Sequence, residues 1–313
     1  MKKNIIFLMA LFTISLISIN CKAEIKNIKI NNTNFPSESL RNFISKEVDR
    51  NRDGLISEDE RLVIKLIAIN NISDEEDDSI DNKAEYEKLS EEEKYQRYKM
   101  IDLKGVEMFP NIEEINLVVG DKLDNLNKIN KLTKLKKISF GNVHKKINYN
   151  FSKIKNLRSL SLKEMDCKDV TIKGNSKLSK VDLYMVKANK ITINNNKKLK
   201  KINTEFLRIK NFQCKNNKLL KEMEIYGDMS FGTYKKSNSI KKMYIHNNPK
   251  LKSVDIRYFK KLKKVDLVKN KNLRALELDC TPSLKKVFLK KNKSSRKLKV
   301  EKNGQKIRIY KNK

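Results

Sequence analysis

One short apolar phrase recurs from Leu103 almost to the C-terminus of this 313-residue chain. The phrase is an apolar residue, two other residues, an apolar residue, one other residue and a third apolar residue. Copies begin at Ile112, Leu135, Leu157, Leu178, Leu199, Leu220, Ile240, Leu251, Leu262, Leu273 and Leu284. The spacing between neighbouring copies is nearly constant as far as Ile240 and falls to half of that value thereafter. Such self-similarity indicates a solenoid, in which each repeat packs on its neighbours.

In each phrase the last two apolar residues alternate with polar residues, which places both on one face of a short strand. The 21-residue repeats hold a second alternating pair, found at Val170 and Ile172, Ile191 and Ile193, and Phe212 and Cys214. Each coil is therefore predicted to contain two strands. Two of the later 11-residue units are predicted to form one coil.

Small polar residues form a further column, three positions before the phrase. Their side chains can bond backbone groups in a tight turn, so stacked coils would align them into a ladder. The column consists of Asn175, Asn196, Asn217, Ser237, Asn248, Asn270 and Thr281.

The phrases, the polar column and residues 101–112 resemble the leucine-rich-repeat surface proteins of bacteria, the internalin-like and related families with repeats of roughly 21 residues. In this chain lysine replaces much of the serine and threonine usual in those proteins. The resemblance implies an α+β repeat protein, a leucine-rich-repeat-like β solenoid over residues 101–290. Its two ends need caps, because an exposed repeat edge is prone to aggregation.

The segment at positions 1–23 has the pattern of a secretory signal peptide. Met1, Lys2 and Lys3 precede an apolar run over residues 5–19, a length that fits a signal peptide better than a spanning helix. Cleavage after Ala23 is favoured; the alternative is that Cys21 is the cysteine of a lipoprotein. The protein is therefore predicted to be exported: secreted, periplasmic or attached to the cell surface, with membrane contact only through lipidation of Cys21.

Residues 24–71 are predicted to form a helical cap around a calcium loop. Residues 49–60 match the twelve-residue EF-hand pattern, including Gly54 at the sharp turn and apolar Ile56 at position 8. The predicted calcium ligands are Asp49, Asn51, Asp53, the carbonyl of Leu55, a water held by Ser57, and bidentate Glu60. The alternative is an acidic helix-turn-helix without metal. A single EF-hand ahead of the repeats also resembles an arrangement in the same surface families.

The two helices around this loop are predicted to be amphipathic. Their apolar faces, which would be buried against each other and against the first coil, consist of Leu40, Phe43, Ile44 and Val48 on one helix and Leu62, Val63 and Leu66 on the other.

Residues 72–100 form an acid-rich stretch that predicts a solvated insertion. Residues 291–313 are predicted to be a basic C-terminal cap. Two alternating segments around Asn303 and Gly304 indicate a β-hairpin there. The scattered cysteines Cys167, Cys214 and Cys280 favour buried thiols over a disulfide framework.

The formal charge of +33 is unevenly distributed. Residues 24–110 carry 14 basic and 21 acidic side chains, whereas residues 111–313 carry 54 and 17. A strongly basic solenoid attracts polyanions, and export makes nucleic acid the least favoured of them. The candidate polyanion site is a column of lysines just before the strand pairs, Lys180, Lys201, Lys242, Lys264 and Lys286. The alternative is a solvated, solubilising surface.

An enzyme is not predicted, because the two histidines lie in different repeats and no phosphate loop, nucleophile elbow or zinc spacing occurs. The favoured function is a monomeric interaction module that binds an extracellular protein or acidic glycan at the bacterial cell surface, in adhesion or host interaction. The alternative is a polyanion- or envelope-associated structural protein without a specific partner. Exposed aromatics would mark a partner face, and the candidates are Tyr184, Tyr226, Tyr244, His246 and Phe288.

Overall fold

A computed structural model of the chain describes residues 27–71, 100–120, 122–152, 154–228, 239–292 and 299–311. The predicted signal peptide with Cys21 and the acidic insertion up to residue 99 lie outside these ranges. Over the described residues the chain is a β-solenoid of about 9 turns with few helices. No helix in these ranges combines the length and the apolar character needed to cross a membrane.

The N-terminal region is a helix-loop-helix followed by the first strand of the solenoid. Strand β1 (Ile28–Lys29) pairs antiparallel with β2 (Leu55–Ile56), which lies inside the predicted calcium loop. Helix α1 (Glu38–Glu47) precedes the loop and α2 (Glu58–Val63) follows it. The side chain of Ser37 caps α1 by accepting from the backbone N–H of Leu40 at 3.3 Å.

Two parallel sheets form the solenoid. The strands of the first sheet are β3 (Leu66–Asn70), β5 (Glu114–Val118), β7 (Lys137–Val143), β9 (Ser159–Met165), β11 (Lys180–Tyr184), the first part of β13 (Lys201–Lys215), β14 (Glu222–Gly227), β16 (Ser253–Arg257), β18 (Ala275–Asp279) and β20 (Lys299–Glu301). Those of the second are β8 (Asn148–Asn150), β10 (Asp169–Lys173), β12 (Lys187–Asn194), the last part of β13, β15 (Lys242–His246), β17 (Lys264–Asp266), β19 (Lys286–Phe288) and β21 (Arg308–Tyr310).

Two short strands and two 3₁₀ segments complete the first coils. Strands β4 (Met100–Asp102) and β6 (Lys122–Asp124) pair in parallel in a separate sheet. Single 3₁₀ turns lie at Val106–Met108 and Leu126–Lys131.

The prediction of two strands per coil is confirmed. All the apolar phrase residues point inward and are buried, and Thr204, the polar member of its phrase, is only 1% exposed. In the 11-residue region the units alternate between the sheets: Met223 pairs with Val254 in the first sheet, and Met243 with Val265 in the second. Two such units therefore make one coil.

The asparagine ladder is also confirmed, with a change of membership. The backbone N–H of Asn196 donates to Oδ1 of Asn217 at 2.9 Å, and the Nδ2 of Asn196 donates to the Ile172 carbonyl at 3.0 Å. The ladder comprises Asn175, Asn196, Asn217, Asn248, Asn270 and Asn292. Thr281 lies outside the ladder, because alternate 11-residue units enter the other sheet. Ser237 falls outside the described residues.

The predicted C-terminal hairpin is wrong. Strand β20 pairs in parallel with β18, and β21 pairs in parallel with β19, so the two strands belong to different sheets. Asn303 and Gly304 therefore lie in the turn between two sheets of the last coil. The Asn-Gly turn signal is the same for a hairpin and for a turn between two sheets. Pairing with the strands of the preceding coil decides between them.

The predicted burial of the apolar residues on the second helix is wrong. Leu62, Val63 and Leu66 are 40%, 43% and 46% exposed. Leu66 begins strand β3, whose two-residue period turns Ile67 and Ile69 inward instead.

The prediction of buried thiols is confirmed for two of the three described cysteines and wrong for the third. Cys167 and Cys214 are buried, and burial raises the pKa of each thiol to about 12. Cys280 is exposed, because it occupies a corner with a positive φ of 47° after β18.

Candidate functional site

The loop between α1 and α2 is closed by hydrogen bonds from its own backbone to its acidic side chains. Asp49 is 4% exposed, and its Oδ2 accepts from the Gly54 N–H at 3.0 Å. Gly54 has a φ of +75°, a conformation that favours glycine, which explains its place at the sharp turn. The Asp53 carboxylate accepts from the Leu55 N–H at 2.8 Å.

Glu60 ties the two ends of this loop together. Its Oε1 accepts from the Arg50 N–H at 2.9 Å, and its Oε2 accepts from the Ser57 N–H at 2.8 Å and from the Ser57 hydroxyl at 2.7 Å. These bonds, led by the one from the Ser57 backbone, hold the pKa of the Glu60 carboxyl below its usual range despite the burial of the group. Ser57 and Glu60 also form a capping box at the start of α2.

The donor set of this loop matches the chemistry that calcium requires. Asp49, Asn51, Asp53, the Leu55 carbonyl and Glu60 supply only oxygen, and Ser57 adds a hydroxyl. In the structure the side-chain oxygens of Asp49, Asn51, Asp53 and Glu60 accept from loop N–H groups. Among the described residues no three His, Cys, Asp or Glu side chains converge as metal ligands do. The residues of the loop match calcium ligands in type and in order along the chain, but their side chains do not converge on one point in this structure. To bind an ion, Glu60 would have to give up its N–H partners.

The outward side chains of β14, β16, β18 and β20, here called the first face, are acidic. These four strands carry six acidic and two basic residues. Their middle column continues that of the preceding coils, with residues in direct register at Asp182, Asn203, Glu224, Asp255, Glu277 and Glu301. Like charges directly opposite each other on neighbouring strands repel, so this column needs counter-charges.

Arg257 supplies the central counter-charge of the first face. Its Nε lies 2.8 Å from Oδ1 of Asp255, and its Nη2 lies 2.6 Å from Oε1 of Glu277. The Tyr226 hydroxyl donates to Oδ2 of Asp255 at 2.7 Å, and the guanidinium carbon lies 5.5 Å from the centre of the Tyr226 ring. Burial, followed by the Asp255 carboxylate, raises the pKa of the Tyr226 phenol.

Lysines complete the pairing on the first sheet. Lys180 lies 2.9 Å from Asp182, Lys201 lies 3.4 Å from Glu224, and Lys299 lies 2.5 Å from Glu301. The predicted lysine column is therefore engaged by acids wherever it falls on this sheet.

The outward side chains of β15, β17, β19 and β21, here called the second face, are basic and aromatic. These strands carry four cations and one acid. The cations occupy one column in direct register, consisting of Lys242, Lys264, Lys286 and Arg308. The adjacent column consists of Tyr244, Asp266, Phe288 and Tyr310.

Most cations of the second face have no internal counter-charge. Lys264 lies 3.2 Å from Asp266, which also lies 3.1 Å from Nε2 of His246. Lys242, Lys286 and Arg308 form no ion pair with any residue that the structure describes. The neighbouring stretches 229–238 and 293–298, which lie outside the described ranges, contain no acidic residue.

A stack of side chains runs along the aromatic column of the second face. The rings of Phe288 and Tyr310 lie 4.7 Å apart with planes 7° from parallel. Lys264 Nζ lies 4.2 Å from the centre of the Phe288 ring. Because β17 and β21 flank β19, these neighbours cover the two opposite faces of Phe288.

The structure divides the five predicted partner residues between the two sheets. Tyr184 and Tyr226 lie on the first sheet, whereas Tyr244, His246 and Phe288 lie on the second. Sequence analysis missed two members of the second face, Arg308 and Tyr310. Their alternation was visible, but it was assigned to a hairpin.

Comparison with known proteins adds no relative. No family model matches the chain, and no match was found among curated proteins. The fold and its faces define the molecule at the level of a two-sheet β-solenoid.

Proposed function

We propose that this chain is an exported, calcium-binding repeat protein of the leucine-rich-repeat surface type that binds an acidic glycan through the second face. The observation that carries the proposal is the contrast in pairing: Lys242, Lys286 and Arg308 have no described counter-charge, whereas four cations of the first sheet do, namely Lys180, Lys201, Arg257 and Lys299. Unpaired cations in register repel one another. An anionic ligand removes that repulsion and gains charge-assisted contacts.

Export and surface location rest on the signal-peptide pattern of residues 1–23. Outside the cell the abundant polyanions are acidic glycans, which favours a glycan over nucleic acid. A solenoid suits such a ligand because its faces are long and regular. The competing function is an envelope protein whose positive charge only keeps it soluble. That function does not require the basic residues of one face to be unpaired and those of the other to be paired.

Binding of the mature protein to immobilised acidic and neutral glycans tests this function. We expect retention on the acidic glycans only, and a steep fall in affinity with added salt because the contacts are electrostatic. Equal retention on neutral glycans, or no retention on any acidic one, would overturn the proposal.

Calcium is proposed to act as a clamp on the N-terminal cap, held by Asp49, Asn51, Asp53, Leu55, Ser57 and Glu60. The ion would offset the repulsion among the three carboxylates and fix α1 and α2 beside the first coil. A ligand present at 100 times its dissociation constant stabilises the folded state by about 2.7 kcal/mol.

Thermal melting with and without a chelator tests the clamp. We expect the chelator to lower the melting temperature of the wild type, and Glu60→Gln to melt at that lower temperature regardless of chelator. The control is Glu58→Gln, which removes the same charge from a neighbouring position in α2 and should retain the calcium effect. If neither chelator nor Glu60→Gln changes the melting curve, the loop binds no calcium.

A further inference from the structure

The cations of the second face repeat with the period of the solenoid itself. Lys242, Lys264, Lys286 and Arg308 are direct register partners on four successive strands. Neighbouring strands lie about 4.7–4.9 Å apart, so the column presents one cation per coil over about 14 Å. Along any one of these strands, by contrast, only a single cation occurs among the outward positions. Within these strands positive charge is therefore periodic along the solenoid axis and not across it.

The aromatic stack limits how a ligand can use this face. Phe288 is enclosed between Lys264 and Tyr310, so neither face of its ring is free for a sugar. The edges of aromatic rings carry partial positive charge, and the Phe288 ring has only its edge left for contact. The aromatic column and the cation column thus both favour a negatively charged ligand. Stacking of a sugar on the face of the Phe288 ring is excluded.

The one acid on the face does not interrupt the positive column. Asp266 lies 3.1 Å from Nε2 of His246 and 3.2 Å from Lys264 Nζ. Its side chain is 14% exposed. Because Asp266 is shielded in this way, it orients Lys264 more than it repels an approaching anion.

We infer that the ligand of the second face is a regular linear polyuronate, lying along the solenoid axis with one carboxylate on each sugar and one sugar on each coil. This inference rests on the proposed function and specifies its ligand. A sugar unit in such a chain is about as long as one strand spacing. Successive sugars are turned relative to one another, so the bound chain must rotate about its glycosidic bonds to direct successive carboxylates to successive cations. Glycans with irregular sulfation or with an acid on every second sugar cannot keep this match over four coils.

Titration with uronic acid oligomers of increasing length tests the inference. We expect affinity to rise about two- to fivefold with each added sugar as far as the tetramer, because an exposed ion pair contributes that much. Beyond the tetramer the gain should become small, since the column has four cations.

The matched comparison ligand is an octamer in which uronic acids alternate with neutral sugars, so that it carries the same four carboxylates at twice the spacing. The uronic acid tetramer should bind more tightly at every salt concentration. Equal binding of the two would overturn the register match and leave the proposed function standing. If neither ligand binds, the proposed function fails as well.

A variant pair locates the effect on the column. Lys286→Gln should weaken the tetramer about two- to fivefold and remove the gain in affinity from dimer to trimer, because Lys242 and Lys264 are then the longest uninterrupted run of the column. Lys285→Gln removes the same charge from the preceding position, where the exposed side chain lies outside the strand, and should leave the length dependence unchanged. Equal losses in both variants would contradict a site built on the column.

Discussion

The first and second faces lie on strands with the same parallel register, but their charges are satisfied in different ways. On the first face an acidic column is crossed by Arg257 and Lys299, and Lys201 of the preceding coil lies within ion-pair distance of Glu224. On the second face only Lys264 has a described acidic partner. In-register stacking places like residues side by side, so a charged column is stable only with internal or external counter-ions. The first face contains its own, and the second depends on a ligand or on solvent ions.

The largest expected difference between the faces is in stability. Arg257→Gln should lower the free energy of unfolding by about 1–2 kcal/mol, because Asp255 and Glu277 then lie in register without their shared counter-charge. Lys242→Gln on the second face should change it by less than about 0.5 kcal/mol. Urea denaturation of both variants measures the two values. Similar losses of unfolding free energy in the two variants would mean that the two faces do not differ in how their charges are paired.

An intermediate effect is expected at alkaline pH. The raised pKa of Tyr226 means that its phenol stays protonated in the folded state above about pH 10, where the unfolded phenol ionises. This group's contribution is therefore fully present below about pH 10 and is lost as pH rises toward the folded pKa. Tyr226→Phe should remove that part of the alkaline loss of stability, as followed by urea denaturation at increasing pH. Tyr244→Phe, which deletes a hydroxyl from the second face, is the control and should retain the wild-type profile.

The smallest effect is relief of repulsion on the second face. Lys286→Gln should raise the free energy of unfolding by roughly 0.2–0.5 kcal/mol at low salt, because two neighbouring cations lose a like-charged partner. The gain should vanish at high salt, where the charges of exposed groups are screened. Denaturation at two salt concentrations measures this, and a gain that persists at high salt would have another cause than charge.

The repeat pattern predicted the solenoid and its buried columns well, because burial of alternate residues is a local, periodic property. Assignment of residues to faces was harder. Where the longer repeats give way to the half-coil units, Met243 continues the column of Phe212 and not that of Met223. Tyr226, which follows one copy of the phrase, and Tyr244, which lies within the next copy, are therefore on different sheets.

Sequence could not predict the contacts that distinguish the faces. The link between Arg257 and Glu277 joins residues 20 positions apart and depends on the direction of one long side chain. The last coil was missed for a related reason: an Asn-Gly turn suits a hairpin and a solenoid corner equally. Only pairing with β18 and β19 separates the two.

The most direct test of the account compares two triple variants with equal loss of charge. One replaces Lys242, Lys286 and Arg308 of the second face with glutamine; the other replaces Lys180, Lys201 and Lys299 of the first sheet. The measurement is the affinity of each for an acidic glycan by titration calorimetry, at one salt concentration. The account predicts that the second-face variant loses most of the binding and that the first-sheet variant keeps it, because its lysines are already paired. Equal losses in the two variants would contradict it, since net charge alone would then govern binding.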